Sequence, residues 1–437
     1  MHRFSKKALS LVAVITAMAG WYFINEIGDE FGLGNKNYYP EPVHAKVADG
    51  SGTALVIEKW AQELLAKGTD PGSQQPYQVI NVKEHGAQGD GNADDSAAIQ
   101  ETVQEAIRLS EKENRVYKVY LPKGVYKVDK NIAVKGKRGD TIALLGEPGT
   151  VIDGSKSSSM YLLDIGGEKG SASSLLADIT ARGGHSLQSN ILCKAGDILL
   201  ISSKEMFNPN RPDYIKGEMV EVEKVEGDTV KLKSPLQDSY SALQTKIYKL
   251  NTPKVEVRNI EIQRDSFQAG LKISYSRDVV VANCKIEGAR ERCFYINYVY
   301  GGLVLNNYAD SYWSDSDTHN SRYGISIASC QQMLLKGNQA KGGRHGIAHG
   351  GWEPCRYIVL AGNTIDSYSQ SGQASLDFHE NVEKVYVVEN NRILNSLNPT
   401  CKNIVIENNY IYSDKLPALH YYDLTPDCGY FIVRNNT

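Results

Sequence analysis

No Cys-x-x-Cys pair occurs among the seven cysteines of this chain, and their number is odd. Cys193, Cys284, Cys293, Cys330, Cys355, Cys401 and Cys428 stand singly, so a thiolate metal site is not expected. Lone cysteines suit buried, small apolar positions; in an exported chain a pair of them can also close a disulfide. An excess of one charge is lacking too. The net charge is -3 over 437 residues, which gives no reason to expect nucleic acid as a partner. Phenylalanine is scarce, 8 against 26 tyrosines. That excess fits half-buried strand positions and equally a polar surface on which sugar rings stack. No run has the spacing of a calcium loop. No cofactor is therefore required by the sequence, although scattered Asp and Glu leave Ca²⁺ open.

One apolar run opens the chain. Arg3, Lys6 and Lys7 precede residues 8–19, and Ala17-Met18-Ala19 offers a small–x–small cleavage site. This is the layout of a secretory signal peptide, residues 1–19, which places the protein in the periplasm or outside the cell. Extended over residues 8–24, the same run would serve as a membrane anchor. Residues 20–77 are rich in Gly and Pro and read as a flexible lead-in with one short helix at 54–66.

The composition changes at Val79. "INVKEHGAQGDGNADDSAAIQETVQEAI" gives a short strand, a turn on Gly86, Gly89 and Gly91, and an amphipathic helix with Ala98, Ile99, Val103 and Ile107 on one face. Asp95 or Ser96 is placed to accept from the helix's free N–H groups. "VYKVYLPKGVYKV" then gives two short strands about Pro122-Lys123-Gly124. This opening resembles that of pectate-lyase-superfamily proteins, which include polygalacturonases, alginate-active enzymes and phage tailspikes. The resemblance implies a β-solenoid whose open end the helix plugs.

An internal repeat agrees. Three or four apolar or β-branched residues lead to an asparagine at Asn259, Asn283, Asn307, Asn338, Asn363, Asn391, Asn409 and Asn436, at spacings of 18 to 31 residues. Strands at such a period without long helices predict an all-β, single-stranded parallel β-helix over residues 78–437. The crossover rule makes it right-handed. Asparagine tolerates the left-handed backbone of a tight corner, and stacked side chains can bond from coil to coil. Residues 196–248 break the repeat. Their alternation about Gly227-Asp228 predicts an inserted β-hairpin arm. The last repeat ends without an evident cap, so its edge is open, covered by another subunit, or crossed by residues 419–424.

In a solenoid, equal positions of successive coils stack about 4.8 Å apart. Counting back 14 residues from each repeat asparagine sets Asp377 beside His349, Gly324 and Cys293. The coils concerned carry "RERCFYINY", "SRYGISI", "GGRHGIAHGG" and "GQASLDFHE". Ionisable and aromatic groups are densest here. Asp377, His379, His345, His349 and Arg344 are the candidate catalytic residues. Arg322, Tyr323, Tyr295, Glu380 and Trp352 are candidate sugar contacts. By period two, Leu376 and Phe378 point inward while Asp377 and His379 point out. Single members also fit structural roles: Glu380 as a turn residue, His345 and His349 as backbone-bonding groups among glycines.

Arginine binds a carboxylate bidentately, which suits a uronate; His or Tyr can take the proton beside that carboxylate. Elimination follows if the glycosidic oxygen leaves, epimerisation if a proton returns on the other face. "LDFHE" also resembles the Asp-Pro-His-Glu/Asp signature of alginate epimerases, with Phe378 in place of Pro. The resemblance assigns catalytic roles to Asp377 and His379. Ala374 stands where that family has its tyrosine, so a tyrosine base would come from Tyr295, Tyr323 or Tyr368. No paired-Asp motif of the polygalacturonase type is present. The leading expectation is an exported lyase or epimerase on an acidic polysaccharide, as a monomer or, as in tailspikes, a homotrimer. The alternatives are a glycoside hydrolase using Asp377 with Glu380, Asp315 or Asp317, a tailspike-type capsule depolymerase of a virion, and a sugar-binding solenoid without catalysis.

Overall fold

The computed structural model describes residues 58–68, 76–266, 268–311, 322–368, 373–414, 416–420 and 429–437. The leader or anchor, most of the lead-in, Asp315, Asp317 and Cys428 lie outside the described residues. No helix among those described is long and apolar enough to cross a membrane.

Parallel strands dominate, paired through a 17-stranded and a 10-stranded sheet. Each full coil contributes three strands and so builds three walls. A representative coil runs His345–Gly350 on the first wall, Cys355–Ala361 on the second and Thr364–Ser367 on the third. The next runs Leu376–Phe378, Val382–Val388 and Arg392–Leu394. Inward side chains make one continuous aliphatic core from Ile80 to Ile406.

The asparagine repeat explains one corner. Asn306, Gly337, Gly362, Asn390 and Asn408 hold left-handed φ angles between 52° and 69°. The following residue buries its amide. Asn307, Asn338, Asn363, Asn391 and Asn409 each donate Nδ2 to the Oδ1 of the next, at 2.8–3.0 Å, and Asn436 is the last acceptor. Asn259 and Asn283 belong to the corner position rather than to this ladder, with φ of 55° and 54°. The single cysteines serve as small core residues: Cys284, Cys293, Cys330 and Cys355 are buried and free.

The helix Ser96–Glu113 lies on the first coils and buries Ile99, Val103 and Ala106. Its start differs from expectation. Asp94 Oδ1 accepts from Ser96 N at 3.1 Å, while Asp95 makes no cap and instead takes the N–H groups of Gln88 and Gly89. The lead-in helix is described from Lys59 to Lys67 and sets Trp60 edge-on against Tyr357 and Tyr386.

The insertion is larger than predicted. It leaves the first wall after Tyr161–Gly166 and returns at Lys254–Arg258 on the second. Between them lies a six-stranded antiparallel sheet that begins at Glu168–Ser174, with the Gly227-Asp228 turn where expected. Residues 168–195 are rich in Gly and Ser and carry a weak strand pattern. Its two longest strands, Ile198–Asn208 and Arg211–Glu226, run along the corner between the first two walls. Met219 N bonds Gln331, Ser202 bonds Glu353, Ile215 N bonds the Trp352 carbonyl, and Arg211 at the tip bonds Glu380. Gly217 permits this approach: a Cβ there would stand 2.4 Å from Glu353 Cγ and 2.6 Å from the Ile201 oxygen.

Candidate active site at the tip of the arm

The strand Leu376–Phe378 obeys the alternation read from its sequence. Leu376 and Phe378 are fully buried in the core, and Asp377 points out beneath the arm. Asp377 Oδ2 lies 2.8 Å from His379 Nε2 and 3.6 Å from His345 Nε2, and Oδ1 accepts from Asn398 Nδ2 at 2.6 Å. Burial favours the neutral acid, but His345, His379 and Asn398 outweigh it and hold the carboxyl well below its ordinary value. Asp377 is therefore an anion that only accepts, and His379 Nε2 carries a proton.

The other nitrogen of His379 meets the arm. Tyr214 Oη lies 2.6 Å from His379 Nδ1, and Arg211 donates to the same oxygen at 3.0 Å and to Glu380 Oε1 at 2.8 Å. Burial opposes a charge on His379, yet Asp377 raises its affinity for a proton above that of ordinary imidazole. Burial pushes the Tyr214 phenol upward, with Arg211 acting against it. Gly350, on the preceding coil, leaves room for the ring: a Cβ there would stand 3.3 Å from His379 Cγ.

His345 is buried beside this group. Its Nδ1 lies 2.5 Å from the Ala374 carbonyl and so must donate, and burial depresses its pKa to about 4. Arg344 Nη1 donates to Tyr323 Oη at 3.4 Å, and the Tyr323 ring tilts over His345 at 5.3 Å. Tyr295 shares the outward column of Asp377 through Ser326 and Ala348, three coils away or roughly 14 Å at the usual strand spacing. Arg292 lies over Tyr295 at 4.4 Å, and Tyr161 stacks on it at 6.1 Å. The first wall thus presents a ribbon of tyrosines and cations that leads to Asp377 and His379. Trp352 is 63 % exposed at the corner beside the arm, while Glu380 is covered by Arg211.

Two expectations are corrected. His349 does not stand beside Asp377: it pairs with Phe378, and Ala348 pairs with Asp377. His349 therefore points inward, stacks on Phe378 at 4.7 Å and is fully buried, with its pKa pushed down to about 3. The cause is corner length. The strand after His349 begins at Cys355, whereas the one after Phe378 begins at Val382, so equal counts from the asparagines slip the register. Arg322 is buried rather than displayed. It enters its strand with a left-handed φ of 84°, outside the alternation that sets outward positions. Among the tyrosines, Tyr368 is on the third wall and bonds Asp310 at 3.1 Å, away from this centre. The tyrosine that does reach the imidazole, Tyr214, was not among those expected. Its signal was local: "NPNRPDY" is a Pro- and Asn-rich turn that carries an arginine and a tyrosine out of the repeat.

A separate cleft of about 620 Å³ lies at the root of the arm, lined among others by Lys137, Arg138, Lys194, Lys249 and Arg277. Among the described residues, no group of three or more His, Cys, Asp or Glu is arranged to hold a metal ion.

Comparison with known proteins gives the same architecture. Residues 79–187 match the family model "Rhamnogalacturonase A/epimerase, pectate lyase-like", and residues 306–437 match "Gp49, pectin lyase-like". The fold is thus a pectate-lyase-like parallel β-helix. Solved structures that share it include the tailspike gp49 of Pseudomonas phage LKA1, 21% identical with a TM-score of 0.66 over 76% of this chain and 60% of that one. The tailspike gp61 of Pseudomonas phage phi297 is 20% identical, TM-score 0.64, over 77% and 60%. The Gp54 tailspike of Acinetobacter baumannii bacteriophage AP22, solved with a capsular saccharide, is 20% identical, TM-score 0.59, over 77% and 55%. The chain therefore spans 55–60% of the length of these tailspikes. No curated protein matches the sequence.

Proposed function

We propose that the chain is a polysaccharide-active enzyme that acts on an acidic, uronate-containing polymer by β-elimination or epimerisation. The observation that carries this reading is the Asp377 carboxylate paired at 2.8 Å with a partly exposed His379 at the end of an aromatic and cationic wall. An anionic Asp377 orients the imidazole and stabilises its charged form, as an acid–base centre requires. The tyrosines offer faces to sugar rings, and Arg292 and Arg344 offer charge to carboxylates. The reading calls for no cofactor. The similarity of fold to a tailspike solved with a capsular saccharide supports a bacterial capsule or exopolysaccharide as the polymer, and a virion or extracellular setting. A homotrimer is the assembly this similarity favours.

The test is incubation with a panel of acidic polysaccharides, followed by the ultraviolet absorbance of unsaturated uronates and by proton exchange at the carbon beside the carboxylate. His379→Ala, with unchanged thermal unfolding, is expected to abolish both signals. New reducing ends without the absorbance would point to hydrolysis instead. Binding without either signal would point to a sugar-holding solenoid.

A further inference from the structure

We propose that Tyr214, carried by the inserted arm, is the group that exchanges a proton with the substrate, and that His379 and Asp377 are the relay behind it. The inference rests on the centre assigned above and adds its reacting atom. The argument is one of valence. Both nitrogens of His379 are engaged by protein groups, Nε2 by Asp377 at 2.8 Å and Nδ1 by Tyr214 at 2.6 Å. With Nε2 protonated, Nδ1 holds the lone pair and the phenol donates to it. The imidazole has no free nitrogen for a sugar, so the outlet of the chain is the phenol oxygen. That oxygen keeps a lone pair and accepts from Arg211 at 3.0 Å, which stabilises charge on it as the proton moves. Arg211 is itself held by Glu380 and Asp213.

For elimination the balance is complete. The phenol proton passes to His379 Nδ1 while the phenol oxygen takes the proton from the carbon beside the uronate carboxylate. The electron pair of that C–H bond forms the ring double bond as the C–O bond to the neighbouring sugar breaks. The departing oxygen takes the proton held on the imidazolium, through water, and the enzyme returns to its starting state. An epimerase would return a proton to the same carbon from the other face.

The relay needs a neutral imidazole. The groups that face His379 are Asp377 and Glu380 from its own segment, Arg344, His345 and His349 from the coil before, and Arg211, Asp213 and Tyr214 from the arm. The pH profile of kcat/KM should therefore climb through a value above that of free imidazole.

The experiment compares Tyr214→Phe with His379→Ala on whichever polysaccharide of the panel is turned over. The expected result is a loss of about 100-fold or more in kcat for Tyr214→Phe with KM little changed. Hydrogen exchange over residues 208–215 should be unchanged, since a purely structural role would loosen the tip. A second variant with 3-fluorotyrosine at position 214 has a more acidic phenol at nearly the same size, and should move the pH profile toward lower pH. An inactive His379→Ala beside an active Tyr214→Phe would overturn this inference and leave the centre standing. A rise in KM alone, or a fluorotyrosine profile that does not move, would also overturn it. Full activity in both variants would remove the centre itself.

Discussion

His349 and His379 lie on successive coils yet occupy opposite environments, because one faces the core and the other the corner. His349 is fully buried and neutral, with a pKa near 3. Above about pH 6.5 it is uncharged folded or unfolded, so its titration does not make stability depend on pH there. Between pH 6.5 and 3 the unfolded chain takes up a proton that the folded one refuses, so stability falls as the pH falls. Relative to the wild type, His349→Leu should therefore gain stability in urea as the pH is lowered from 7. Toward pH 5 the wild type should lose up to about 1.4 kcal/mol per pH unit relative to it. Catalysis at pH 7 should be unaffected. This residue also shows a limit of sequence reading. Alternation alone placed Leu376, Asp377 and Phe378 on the right faces, since it uses neighbours only. Matching positions between coils needs corner lengths, and these vary without a mark in the sequence. Arg322, a candidate sugar contact by its residue type, is buried because it enters its strand with a left-handed backbone, which the sequence does not mark.

At the scale of elements, the coil and the arm are stabilised differently. The coil was legible: the asparagines showed the corner, the "LPKG" and helix opening showed the first coils, and the buried amide ladder follows from both. Asn363 donates to the Leu335 carbonyl and to Asn391 Oδ1, and its own Oδ1 accepts from the amide N–H and side chain of Asn338. Asn363→Ala should orphan buried partners on both neighbouring coils and cost roughly 3 kcal/mol, read as a lower thermal or denaturant midpoint. The arm is held by buried charge. Arg356, with no exposed surface, donates to the Gly217 carbonyl of the arm at 2.5 Å and pairs with Asp238 at 2.5 Å and Glu383 at 2.9 Å. Arg356→Ala should cost about 3–5 kcal/mol because two carboxylates lose their partner. Faster hydrogen exchange along Arg211–Glu226 should accompany that loss. The docking of the arm was not legible. Tyr214 and Arg211 meet the centre across 165 and 169 residues, and no periodicity links an insertion to the coil it covers.

At the scale of the molecule, a regular solenoid supplies a flat wall of stacked side chains, and the insertion makes one corner of it distinctive. The ribbon from Tyr161 through Tyr295 and Tyr323 to His379 runs along several coils with its tyrosines half-buried, and on the proposed function it would seat a polymer. The arm closes over its end and brings Arg211 and Tyr214 to the pair that the coil provides. On the proposed function, the repeat would hold the substrate and the junction between repeat and insertion would carry the chemistry.

The most direct measurement is the absorbance of unsaturated uronate, or proton exchange beside the carboxylate, when the intact chain and His379→Ala are incubated with acidic capsular polysaccharides. The account predicts a signal from the intact chain on at least one polymer and none from the variant. Equal signals from both, or only new reducing ends without unsaturation or exchange, would contradict it.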